Sequence, residues 1–448
     1  MSAPGPASAA AATGGPPLRR AVTRWQIVAF AVNDVIGSGV YLLPAAAAAL
    51  LGPASLVAVV LAGAAVALLV LCFAEASSHF DEPGSAYLYA RTAFGDLVGC
   101  EVGWMTWLAR VTSVASLSVG FPRALGYLWP GAAMGWGRTL AICLPVLALT
   151  AVNVVGVRAG MRTSVALVLA KVAPLLAFVA VGLVFARWSQ AAGQEVTRPG
   201  GLGGAALLLL FAYAGFENTP APAGEFRNPR RDVPFALVVQ ITLVTALYGA
   251  VQWVALGTLP GLAASQTPLA DSAERFLGPA GGLLLTAGAV VSILGTNSNS
   301  VLSGPRYLYA LARDGFGPAV LARVHPRFRT PAVAVVLQTA VALPLALSGT
   351  FEGLAALSVI ARLTTYIGTA AAVPVLRRKL GSAAGAFRLP GGPAIPVAAI
   401  AISLYLASSA GAANLVAAGA ALAVGVLLYA FRRRPPAEPE AGGKPARG

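Results

Sequence analysis

Val35-Ile36-Gly37-Ser38-Gly39-Val40, with Pro44 close behind, interrupts an otherwise apolar run from Trp25 to Leu51. Two glycines around a serine make poor helix interior, each glycine costing about 1 kcal/mol against alanine. Within lipid, irregular backbone is tolerated only where it lines a cavity or is buried in protein. A matching interruption occurs at Phe211-Ala212-Tyr213-Ala214-Gly215-Phe216-Glu217, followed by Pro220 and Pro222. Gly37 and Gly215 are 178 positions apart, and each opens a block of five apolar segments. Five is odd, so the second block enters the membrane from the opposite side. Paired interruptions in two inverted halves point to the midplane site of a transporter. The bland alternative, glycines that merely let helices pack closely, suits a single broken helix better than two corresponding ones.

Beyond the two breaks the chain is apolar nearly throughout. Of 448 residues, 57% are hydrophobic and 10% are charged, where a soluble domain carries roughly a quarter charged. The fold class is therefore an all-α polytopic integral membrane protein. A spanning helix needs about 20 mostly apolar residues. Twelve segments qualify: Trp25–Leu51, Ser55–Phe80, Ala86–Gly120, Thr139–Val157, Ser164–Ala186, Leu202–Phe226, Pro234–Leu259, Leu277–Ala312, Pro331–Ser348, Leu354–Leu376, Pro396–Ala410 and Ala413–Phe431. The third and eighth are long enough to tilt or to run on into the cytoplasm. Residues 25–186 then form the first five-helix block, 202–376 the second and 395–431 two C-terminal helices. Residues 1–24 and 432–448 read as disordered cytoplasmic tails. Met1 to Pro17, rich in Pro, Ala and Gly, does not read as a cleavable leader.

The net charge of +15 suggests a nucleic-acid partner until its placement is considered. With the N-terminus inside, 23 of the 31 Lys and Arg residues fall on the cytoplasmic side and five outside; Arg110, Lys171 and Arg362 lie within spans. That bias sets orientation, so nucleic-acid binding is rejected and both termini are expected in the cytoplasm of a cell with this protein in its inner membrane. Cys72, Cys100 and Cys143 lie in apolar segments without metal-ligand spacing, and His79 and His325 lie in loops; no metal or cofactor is expected. No HExxH, Walker loop or GxSxG elbow is present, which argues against a membrane-embedded enzyme. A channel or receptor lacks a continuous polar pore or a sensor domain here.

A break of this kind suits an amino acid zwitterion. The restarted half-helix offers free N–H groups and a positive dipole end to a carboxylate, and the halted half leaves carbonyls for an ammonium. At these residues the chain resembles the amino acid–polyamine–organocation superfamily from about Trp25 to Phe431. The strings that carry the resemblance are IGSGVYLLP (Ile36–Pro44), EPGSAYLYARTAFG (Glu82–Gly95), FAYAGFENTPAPAGEFRNPRRDVP (Phe211–Pro234) and RYLYALARDGFGP (Arg306–Pro318). The resemblance implies a leucine-transporter-like five-plus-five inverted repeat, broken first and sixth helices, and alternating access around them. It also implies that Gly37, Ser38 and the amides near Gly39 hold the substrate carboxylate, and that carbonyls of Val35, Phe211 and Ala214, beside Gly215, hold its amine. The same resemblance places the ring of Phe211 and the small polar stretch Gly295–Ser300, with Ser300 facing the site, around the substrate side chain. No acidic residue stands in that stretch, so small neutral amino acids are expected, with cationic amino acids or polyamines as the alternative.

Ionisable residues inside a span are functional by default. Lys171, mid-way along the fifth span, either replaces the cation of sodium-coupled relatives with a fixed or protonatable charge or is an ammonium paired structurally with carbonyls. The first reading makes transport sodium-independent, by proton coupling or exchange. Glu217 is either a proton-sensing gate or a cap on the restarted helix. Glu101 and Arg110 share one helix, nine residues apart, about 13 Å along the axis, and are not expected to pair. Asp34 reads as a carboxylate of the inner vestibule. Arg362 either gates or pairs with an acid. The mixed-charge run Glu225–Asp232 reads as a salt-bridged loop or a gating element.

Overall fold

The computed structural model describes residues 20, 22–81, 84–155, 161–193, 196, 201–381 and 387–432, with backbone alone at 161–165 and 201. The predicted tails over 1–19 and 433–448 lie outside the described residues, as do Arg158 and Arg198. Sixteen α-helices are described in these segments: α1 Arg24–Val35, α2 Gly39–Leu51, α3 Ser55–Ser78, α4 Ser85–Phe94, α5 Asp96–Leu125, α6 Gly135–Val155, α7 Met161–Phe185, α8 Trp188–Ala192, α9 Gly201–Tyr213, α10 Pro229–Thr258, α11 Pro268–Leu277, α12 Pro279–Arg313, α13 Ala332–Ser348, α14 Phe351–Leu380, α15 Ala394–Ser408 and α16 Ala412–Ala430. Each of the twelve predicted segments overlaps at least one of these helices, the first and the third taking in most of two each. Among the described residues, seven runs, including Gly39–Ser78, Pro229–Thr258 and Phe351–Leu380, are long and apolar enough to cross a membrane, and three shorter apolar helices accompany them. Leu61, Leu144, Leu176, Val184 and Val416 are exposed on the outside of the bundle. Such surface would be a liability in water and is what lipid requires.

Three sequence expectations need correction. The predicted third span from Ala86 to Gly120 is two helices, because Gly95 adopts φ +92 between α4 and α5. Only α5, 30 residues long, is the central helix, and α4 lies before it. The sixth span does not restart as an α-helix after its break. Beyond Tyr213 the chain makes short 3-10 turns at Phe216–Asn218 and Ala223–Glu225, since Pro220 and Pro222 remove the N–H groups a regular helix needs. The periodicity also missed α8 and α11, which are short and lie between spans. The eighth span is a single 35-residue helix, roughly 50 Å long, well beyond the ~30 Å hydrocarbon layer.

Packing follows a repeated scheme. α1 packs on α10 and α7, while α9 packs on α3 and α14; α5 packs on α14 and α13, while α12 packs on α7 and α6. α3 meets α10, α5 meets α12 and α2 meets α9. Exchanging the first five predicted spans for the second five turns the pairs of α1 and α5 into those of α9 and α12 and leaves the last three unchanged. At the cytoplasmic end by the predicted orientation, Val22 forms a parallel bridge with Phe226, and Arg24 pairs with Asp232 at 2.7 Å. Arg230 pairs with Asp81 at 2.8 Å, so the run Glu225–Asp232 is salt-bridged. Two of the quoted motifs meet here as well. Tyr87 donates its hydroxyl to Asp314 at 2.6 Å, and Arg91 pairs with Asp314 and Asp96, each at 2.8 Å.

Candidate functional site

The first break opens between α1 and α2. Gly39 begins α2 so close to α9 that an added Cβ would stand 2.7 Å from the Cα of Ala212. Glycine is therefore required there by contact between two backbones. The carbonyls released by the break do not go unpaired. Ile36 O accepts from Ser292 Oγ at 2.9 Å and Thr296 Oγ1 at 3.1 Å, and Gly37 O accepts from Ser292 Oγ at 3.2 Å. Tyr248 spans both breaks, its hydroxyl lying 3.3 Å from Val35 O and 3.1 Å from Ala212 O.

Lys171 of α7 is fully buried. Its ammonium donates to Asn33 O at 3.1 Å, Ile36 O at 3.2 Å and Thr296 Oγ1 at 3.0 Å. Three acceptors match the three donors of an ammonium. The lysine thus joins α7, the end of α1 and α12 at the first break, behind the cavity rather than in its wall.

At the second break Gly215 takes φ +133, and a Cβ there would lie 2.7 Å from Asp34 O. Only glycine satisfies both demands. Glu217, 2% exposed, accepts from the amide of Gly215 at 2.9 Å and from the hydroxyl of Tyr366 at 3.3 Å. Its other oxygen pairs with Arg110 at 3.3 Å and with Arg362. Glu217 is thus a backbone cap and the centre of an ion-pair cluster at once. Arg362 does pair with an acid, and its Nη2 also donates to Ser113 Oγ at 2.6 Å. Asp34, read from sequence as a vestibule residue, is instead buried, 2.6 Å from Asn218 Nδ2, 3.3 Å from Asn299 Nδ2 and 3.8 Å from Arg110. Glu101 takes no part: its oxygens are buried without a hydrogen-bond partner, against α16, where a Cβ on Gly425 would meet them.

Both breaks border one cavity of about 20 Å³, room for roughly one water. Of the residues singled out from sequence, Val35, Gly37, Ser38, Gly39, Phe211, Ala214 and Ser300 line it. Gly215, Lys171 and Glu217 stand behind this wall and shape it. Thr296, from the small polar stretch expected there, lines the cavity too; sequence reasoning gave no place in the wall to Ser113, Leu117 and Ala212, nor to Asp34, Arg110 and Arg362. For the last three the signal was present, since each is an ionisable residue inside a span. For Ser113 and Leu117 it was not, because nothing in α5 alone tells which face meets the breaks. Ser38 Oγ and Ser300 Oγ are buried at the cavity without a hydrogen-bond partner. Buried hydroxyls of this kind call for a polar occupant.

A larger cavity of about 240 Å³ lies at the other end of α5, lined by Arg123, Arg138, Gln266, Thr350, Phe351 and Glu352 among others. Phe351 separates it from the central one, edge-on to Phe211 with ring centroids 5.9 Å apart. Arg123 and Glu352 pair across its mouth at 2.5 Å. The ring of Phe351 therefore stands between the two cavities. Among the described residues no group of three His, Cys, Asp or Glu side chains is arranged to hold a metal.

Across residues 22–436 the sequence matches the amino acid permease family model. The chain belongs to that family. It is 28% identical over 435 residues to the methylthioribose transporter of Bacillus subtilis (strain 168), covering 92% of this chain and 93% of that protein. The branched-chain amino acid permease BcaP of the same organism is 28% identical over 448 residues, with 94% of each chain covered. The serine/threonine exchanger SteT, also from Bacillus subtilis, is 27% identical over 423 residues, covering 90% of this chain and 94% of its own. This chain is thus an all-α, multi-pass membrane protein of a transporter family, embedded in a bilayer and similar to permeases and exchangers. Relatives at nearly equal identity are named for different substrates, so identity alone does not select one.

Proposed function

We propose that this permease is a secondary active transporter of amino acids, working by alternating access around the breaks at Gly37 and Gly215. The observation that carries the reading is the convergence of both breaks on one small cavity bordered by two unpartnered hydroxyls. The substrate carboxylate sits at Ser38 and the amides that open α2, and its amine at the carbonyls of the breaks, Ala214 O among them. The exchange symmetry of the packing supports two inverted five-helix blocks, 25–186 and 202–376, with 395–431 outside them. The Lys and Arg distribution supports an inner-membrane protein with both termini cytoplasmic.

Transport is sodium-independent in this reading. Lys171 holds its ammonium against the first break, the kind of position where a bound cation would otherwise link α7 and α12 to α1. The coupling is then to protons or to counter-substrate. Cationic amino acids and polyamines are disfavoured, because Arg110 and Arg362 present guanidinium groups to the cavity and Asp34 is already engaged by two amides. The test is uptake of labelled amino acids by proteoliposomes of the purified protein, with sodium and pH varied separately. Uptake of no amino acid under any of these gradients would overturn the reading.

A further inference from the structure

The charges around the central cavity do not cancel. Asp34 and Glu217 contribute two negative charges, and Arg110, Arg362 and Lys171 three positive ones, all 4% exposed or less. Glu217 does not need two arginines: Gly215 N and Tyr366 OH already donate to it at 2.9 and 3.3 Å. Arg110 is left with a buried Nε that has no hydrogen-bond partner, and its contact with Asp34 is long, at 3.8 Å. Both guanidinium groups, carried by α5 and α14, line the cavity together with Ser113 and Ser300, each also reaching Glu217 at the second break. A buried charge without a counter-charge is costly, and a zwitterion, which is neutral, would leave this surplus in place.

We infer that the substrate is an amino acid with a short side-chain carboxylate, whose second negative charge meets Arg110 and Arg362. The inference rests on the amino acid reading above and names the substrate class of the same site. With the α-carboxylate at the amides of the first break, a side chain directed away from α2 runs toward α5 and α14. There it finds a bidentate-capable guanidinium and the unpartnered hydroxyl of Ser300. The bound acidic substrate balances the five buried charges, and a neutral one does not. This replaces the neutral side chain expected from the small polar stretch of α12, because the decisive groups come from α5 and α14.

The test uses full-length protein in proteoliposomes with labelled glutamate, aspartate, alanine, leucine and arginine. Glutamate or aspartate is expected to be taken up with the lowest KM and to inhibit entry of the others. Arg110→Gln and Arg362→Gln are each expected to raise the KM for acidic substrates at least 10-fold and to shift preference toward alanine. Should either variant fail to fold, the charge-balanced pair Glu217→Gln with Arg362→Gln is expected to show the same shift. Uptake of alanine or leucine with acidic substrates neither transported nor inhibitory overturns the inference and leaves the amino acid reading standing. Equal uptake of neutral and acidic substrates also overturns it. Uptake of none of the five also overturns it, and uptake of no amino acid in a full panel overturns both.

Discussion

Replacing Lys171 tests the proposed coupling most directly. Lys171→Met keeps the aliphatic stem that packs in α7 and removes only the ammonium. Two of its hydrogen bonds go to the first break, one to Asn33 O at the end of α1 and one to Ile36 O just beyond it. Hydrogen bonds from a charged donor are worth about 1.5–3 kcal/mol each, so these two tie the broken helix by about 3–6 kcal/mol. If they exist in one orientation of α1 and not in the other, their loss moves the equilibrium by roughly two to four decades. The expected outcome is a fall of at least about 100-fold in uptake rate at low substrate. In the wild type, deprotonation as pH rises removes the same tie, and the variant should lack that limb of the pH profile. Sodium should neither stimulate the wild type nor rescue the variant. Initial rates in proteoliposomes, with potassium replacing sodium and internal and external pH set independently, give all three readings. Clear sodium stimulation of the wild type, or a variant with unchanged rate and pH profile, refutes the argument.

Gly39→Ala should abolish substrate binding and lower Tm in detergent, since its Cβ meets backbone of Ala212 at 2.7 Å and overpacking costs about 1–3 kcal/mol; Gly204→Ala, with open space around it, is the control that should change neither. Phe211→Ala removes the ring that meets Phe351 and should admit bulkier substrates while weakening the native one, read by an inhibition panel whose ranking must change. Glu75 is 1% exposed and accepts from Arg377 Nη2 at 2.7 Å and Leu389 N at 2.9 Å. Glu75→Gln should therefore destabilise by about 3–5 kcal/mol, visible in thermal denaturation. Arg123→Gln, which breaks a partly exposed pair, should cost less than about 1 kcal/mol; equal losses for the two would show that burial does not set their worth.

Much of this architecture was legible because membrane helices declare themselves by length and hydropathy. The breaks were legible too, since glycines and prolines act locally. Lys171 stood out because an ammonium among apolar residues has to find acceptors, and the carbonyls it found belong to the break beside it in space. What stayed hidden depends on facing and on distance. Ala86–Gly120 looked continuous because Gly95 is a single residue in a left-handed turn, whereas the breaks carry several signals each. The restart after Tyr213 was expected by analogy with the first break, and Pro220 with Pro222 prevents it. Arg110 and Glu217 are 107 residues apart, and no local pattern shows that α5 and the second break touch. The side-chain end of the cavity was read from one helix for the same reason, although α5 and α14 also contribute residues to the wall.

The breaks and the buried charges explain one another. A regular helix consumes its own amides and carbonyls, so it has nothing to offer an ion beside it. Where α1 stops, Asn33 O and Ile36 O become available, and Lys171 can remain charged in the interior. Where α9 stops, the amide of Gly215 becomes available, and Glu217 can remain charged with it. Each charge in turn stabilises the interruption, since an unpaired carbonyl or amide at that depth would cost several kcal/mol. Irregular backbone and ionisable side chain are therefore a single structural unit, repeated once in each half. Moving one half against the other must rearrange both units together. Under the proposed alternating access, that requirement would couple a substrate lodged between the breaks to the ionisable groups behind them.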